Sequence, residues 1–149
     1  MTISSSTPGR IIDDDDEIGA LLASTRRVAV VGIKTRESMQ PAYYVPEYAQ
    51  RSGYEIVPVP VYYPEATEIL GQTVYRSLAA IPGDVVMVNM FLRPKDLAAH
   101  LDDILAKKPR SVWLQLGIRD DAFAARLTAA GIDVVQDRCL LVELRSHGR

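Results

Sequence analysis

Residues 28–49, "VAVVGIKTRESMQPAYYVPEYA", decide how this chain is read. They open with an unbroken apolar run, as a strand buried on both faces requires. One glycine follows, then a polar loop, then a helical pattern headed by proline. Proline suits the first helical position, where a backbone N–H has no intrahelical partner to lose. The stretch therefore predicts a strand, a glycine turn and a helix whose N-terminus faces outward. The Gly-x-Gly-x-x-Gly of dinucleotide-binding turns is absent, because Gly32 has no second glycine until Gly53.

Outward from this turn the chain alternates. Residues 27–32 read as a strand, and 41–53 as a helix stopped by Gly53, with Pro46 in its first two turns. Residues 54–59 form the next strand, and "TVY" at 73–75 reads as a short edge strand. Another apolar strand spans 84–90. Leu97, Leu101, Ile104 and Leu105 recur at helical spacing across 94–108. A strand at 111–117, a helix at 120–131 capped by Asp120, and a strand at 132–136 follow. A short helix over 137–145 closes the pattern, and an acid-headed helix over 13–25 opens it. Strands alternating with helices imply an α/β fold, doubly wound, with a mainly parallel sheet of about five strands and helices on both faces. One domain over 13–145 is expected, with a flexible segment at 1–12 and a tail at 146–149.

Bulk properties exclude several classes. The 149 residues carry a net charge of −2, so no general attraction to nucleic acid is expected. No apolar run approaches the roughly 20 residues of a membrane helix, and the start lacks a secretory pattern. The single cysteine, Cys139, excludes an internal disulfide and suits a reducing cytoplasm. Four consecutive aspartates at 13–16 do not share one helical face, so they read as a helix start rather than a metal site.

In a doubly wound sheet, ligands bind beyond the carboxyl ends of the strands. The relevant loops are "GIKTRESMQP", "PVPVYYP", "NMFLRP" and "QLGIRD". Gly32 permits the turn, the helix after Gln40 offers N–H groups to phosphate, and Lys34 and Arg36 add positive charge. The alternative is a plain turn with solvated charges. NAD-binding domains place an acid after the second strand; here Pro60, Val61 and Tyr62 stand there instead, which disfavours NAD. Proline and tyrosine form a wall on which an adenine can lie, or a rigid loop packed on the body. Phe91 and Arg93 follow the central strand, and Arg93 suits a phosphate or a surface ion pair. Gln115 and Gly117 end the next strand, while Trp113 is expected in the core.

The segments "VAVVG…QPAYYV", "EILGQTVYRSLAAIP", "VVMVNMFLRP", "SVWLQLGI" and "VVQDRCLLVE", in this order, resemble the small stand-alone coenzyme A-binding proteins. Their Rossmann-like domain is similar to the CoA-binding domain of the succinyl-CoA synthetase α subunit. The resemblance spans about residues 25–145. It implies a crevice for CoA or an acyl-CoA, with the diphosphate region at Gly32, Ile33, Lys34, Gln40, Pro41, Ala42 and Tyr43. It implies an adenosine wall at Pro60, Val61 and Tyr62. It adds Asn89, Phe91 and Arg93, which match a Phe-Arg-Arg-Pro-like segment, and Gln115 with Gly117. The chain departs from the family at Lys34, at Gln40-Pro41-Ala42 and at Val61-Tyr62.

Catalytic residues are not expected. His100 falls within a helix and His147 in the tail, so no His is placed near the crevice. Cys139, just after the last strand, is read either as a buried structural thiol or as facing the crevice. The acid pairs Asp102/Asp103 and Asp120/Asp121 suit capping or solvation. The reading is a non-catalytic CoA carrier, buffer or sensor with a small-molecule ligand. The alternatives are an enzyme using NADP or another nucleotide in the same crevice, and an interaction module that has lost its ligand.

Overall fold

The computed structural model describes residues 7–149. Five strands form one parallel sheet: β1 (Arg27–Val31), β2 (Glu55–Val59), β5 (Met87–Met90), β6 (Ser111–Leu114) and β7 (Asp133–Val135). Their spatial order is β2-β1-β5-β6-β7. Pro58 is accommodated because β2 is an outer strand, where a missing N–H breaks no ladder on the free side.

The unbroken apolar runs are explained by burial on both faces. Val31, Val59, Met90 and Leu114 pack on one side with Leu97, Ile104 and Leu127. Those partners come from α3 (Pro94–Leu97), α4 (Leu101–Lys107) and α5 (Asp121–Ala129). Val30, Met87 and Trp113 face the other layer, with Ile18, Val45 and Leu144. These belong to α1 (Asp15–Ser24), α2 (Pro41–Arg51) and α6 (Leu140–Ser146). Trp113 is fully buried as expected, and its indole N–H donates to the Arg138 carbonyl at 2.8 Å.

Local chemistry sets the helix starts. The Asp14 carboxylate accepts from the Glu17 N–H at 3.1 Å, and that of Asp120 from the Phe123 N–H at 3.0 Å. Each such cap is worth about 1 kcal/mol.

Three expectations need correction. Residues 9–12 are not loose. The Gly9 N–H donates to Thr128 O, the Ile12 N–H to Val134 O, and Ile12 is buried, so this segment extends the sheet beside β7. An edge strand with free N–H and C=O groups recruits whatever chain can pair with it. Residues 1–6 lie outside the described residues. "TVY" does not form an edge strand of the main sheet. Instead β3 (Glu68–Ile69) and β4 (Gln72–Thr73) form a hairpin across Leu70-Gly71, both with positive φ. Such a two-residue turn matches strand twist. The helix expected over 94–108 is split by a 3-10 turn at Ala98–His100.

Candidate nucleotide crevice

The sheet order reverses between β1 and β5, and the crevice lies beyond their carboxyl ends. Gly32 sits at this point with φ 87°, and a Cβ there would lie 2.4 Å from the Phe91 carbonyl oxygen. Two loops thus touch at a position where only glycine fits. Pairing holds them together: Gly32 N–H donates to Val59 O, and Phe91 N–H to Val31 O, each at 2.9 Å.

Pro46 shapes the turn from a distance. As proline it has no N–H for the Ala42 carbonyl, four residues earlier. That carbonyl instead accepts the Lys34 N–H at 3.1 Å, which ties the loop after β1 to the side of α2. The start of α2 is correspondingly reduced as an anion site. Pro41 has no N–H, and those of Tyr43 and Tyr44 both go to Gln40 O. Ala42 retains the one first-turn N–H without an acceptor among the described residues.

Two chambers meet in the crevice. One, of about 450 Å³, is lined mostly by apolar groups, including Val45, Leu92, Leu116, Ile118 and Cys139. The other, of about 490 Å³, is more polar and is lined by Val61, Tyr62, Lys95, Asp96 and His100 together with Gly32. Lys34, Phe91, Leu92 and Arg93 line both and form the join. Both volumes fall within the range of ligand sites, roughly 300–1,000 Å³. Arg93 is ion-paired with Asp96 at 3.2 Å, which takes up part of its charge. Tyr62 is 62% exposed and packs edge-on to Tyr63, with ring centroids 6.5 Å apart. Arg76 fixes this loop by donating to the carbonyls of Tyr62, Tyr63, Pro64 and Ala66.

Beneath the apolar chamber runs a chain of amides. Asn89 Nδ2 donates to Trp113 O at 3.4 Å and to Gln115 Oε1 at 3.3 Å. The same Gln115 oxygen accepts the Leu140 N–H at 3.3 Å. With its oxygen so held, Gln115 has its Nε2 donor left without a partner among the described residues, on a side chain lining the chamber. Asn89 Oδ1 is buried with no partner. A buried polar atom left unpaired costs about 1–3 kcal/mol; Ser111 Oγ, at the opposite end of the sheet, is likewise buried without a partner.

The expected residues separate accordingly. Gly32, Lys34, Gln40, Pro41, Ala42, Val61, Tyr62, Phe91, Arg93, Gln115 and Gly117 line one or both chambers. Ile33, Pro60 and Asn89 are buried and line neither. Arg36 and Tyr43 line a different cavity, between α2 and the β3–β4 hairpin. One reading changes. His100, expected away from the crevice, lies at the end of the 3-10 turn and lines the more polar chamber. Of the two readings of Cys139, the structure has it half-buried, packed on the core and lining both the apolar chamber and a polar cavity beside Asp13. Tyr44, Leu116 and Ile118 also line the apolar chamber. They lie within the quoted motifs without being singled out as site residues, and only the turn geometry separates them from core residues.

Among the described residues, no cluster of three or more His, Cys, Asp or Glu is positioned to hold a metal ion, and no helix is long and apolar enough to cross a membrane.

The chain is 32% identical over 126 residues to the Bacillus subtilis (strain 168) protein YneT, covering 85% of this chain and 90% of that one. A Thermus thermophilus structure, cell-free ID.343, superposes with a TM-score of 0.83 at 38% identity, covering 91% of this chain and 99% of the other. A hypothetical protein from Pyrococcus horikoshii OT3 gives a TM-score of 0.83 at 25% identity over 100% of both chains. Residues 26–145 match the family model described as "CoA binding domain", so this doubly wound chain belongs to the CoA-binding-domain family.

Proposed function

We propose that the protein binds coenzyme A or an acyl-CoA non-catalytically, as a carrier, buffer or sensor. The observation that carries this reading is the two-chamber crevice, more polar and aromatic on one side and mostly apolar on the other, with Lys34 and Arg93 at the join. CoA divides in the same way, into a charged nucleotide and an uncharged arm ending in a thiol. In this reading the adenine lies on Tyr62, and Lys34, Lys95 and the Ala42 N–H meet the phosphates. The arm passes Phe91 and enters the chamber of Leu116 and Ile118. The single cysteine suits a reducing compartment such as the cytoplasm.

The test is thermal unfolding with CoA, acetyl-CoA, NADP, NAD and ATP. A ligand at 100 times its dissociation constant adds about 2.7 kcal/mol of stability. CoA or acetyl-CoA is expected to raise the midpoint by several degrees, and Lys34→Glu to reduce that shift. A shift with NADP but not with CoA, or with none of the five, would overturn the reading.

A further inference from the structure

We propose that Cys139 captures the thiol end of the ligand covalently, by thiol–disulfide exchange with the disulfide form of CoA. This rests on the CoA reading above. Three observations lead to it. Cys139 is half-buried and lines the apolar chamber, where the arm of a ligand held by the more polar chamber would end, as well as a neighbouring polar cavity beside Asp13 and Arg138. Gln115, only 4% exposed, lines the same chamber, with its oxygen held by Asn89 and by the Leu140 N–H next to Cys139. Its Nε2 has no protein partner among the described residues and reaches solvent on the chamber side, so it can donate to an amide carbonyl of the arm, and that bond would hold the arm beside the sulfur. Finally, Cys139 is the chain's single cysteine, so no second thiol of the same chain can displace a bound partner.

The step balances without an outside oxidant. The Cys139 thiolate attacks one sulfur of the CoA disulfide. A new S–S bond joins Cys139 to one CoA, and the old S–S bond breaks. Its electron pair leaves on the second CoA as thiolate, which takes up the proton that Cys139 gave to solvent. An incoming thiol reverses the adduct by the same exchange. The protein would thereby store CoA under oxidising conditions and return it when thiols recover.

The experiment incubates the reduced protein anaerobically with CoA disulfide or with glutathione disulfide, and follows the intact mass with time. One CoA adduct per chain is expected, mapped to Cys139, absent in Cys139→Ser and reversed by dithiothreitol. Holding the reacting sulfurs together should make it form at least about tenfold faster than the glutathione adduct. Desulfo-CoA, which fills the crevice without a thiol, should slow it. Equal rates for the two disulfides, or no adduct, would overturn the proposal. Thermal unfolding of Cys139→Ser with CoA separates the two readings. A shift retained there beside failed labelling removes the covalent step alone, whereas loss of both removes the CoA reading as well.

Discussion

Gly32 combines two demands that usually fall on different residues. Its φ of 87° lies where a side chain is strained, and a Cβ would meet the Phe91 carbonyl at 2.4 Å. Relief would require the β1 and β5 loops to part, and those loops form the join between the chambers. Gly32→Ala is therefore expected to cost about 2–4 kcal/mol, read as a lower urea midpoint. It should also weaken CoA binding. A loss below about 1 kcal/mol would mean that the loops separate easily. The glycine is plain in the sequence, and so is its place after a strand. Its contact with Phe91 is not, because 59 residues of chain separate the two. Cys139 and His100 illustrate the same limit. Their positions along the chain are known in advance, but the chamber each faces depends on the turn preceding it.

At the scale of elements, α1 and α6 are clasped by His147. Its Nδ1 lies 2.9 Å from Glu143 O, and its Nε2 3.0 Å from Asp15 O. Both partners are carbonyls and only accept, so the ring satisfies both only when both nitrogens are protonated. These backbone hydrogen bonds raise the His147 pKa above its ordinary 6.5. The sign follows from linkage: a raised folded pKa stabilises fully below 6.5 and loses that contribution as pH climbs through the raised value. The melting temperature of wild type relative to His147→Gln should be highest below pH 6.5 and fall as the pH rises through the raised pKa. A difference independent of pH would show that the clasp does not depend on charge. Gly19 belongs to the same device, because a Cβ there would lie 2.7 Å from the His147 ring. The sequence predicts both helices, yet places His147 in an unremarkable tail. Likewise Pro46 reads as a tolerated helix proline, whereas its structural effect is to free a carbonyl for Lys34.

For the molecule as a whole, one sheet carries both packed layers, and Trp113 is fully buried in one of them. As the chain's one tryptophan it reports on that layer directly. Its fluorescence and the far-UV circular dichroism are expected to give coincident urea midpoints, as for a two-state domain, and CoA should move both together. Separate midpoints would mean that the two layers unfold independently. The order of strands and helices, the buried parallel sheet and the strand-end loops were all legible in the sequence, because apolar period and glycine or proline placement are local properties. Local pattern also carried the family. Long-range contacts decided the rest: residues 9–12 joining the sheet beside β7, the β3–β4 hairpin in place of an edge strand at 73–75, the split of the 94–108 helix, and the division of the crevice into a more polar and an apolar chamber. Burial, pairing and the direction of a side chain depend on what the rest of the chain brings beside it, and no window of sequence contains that.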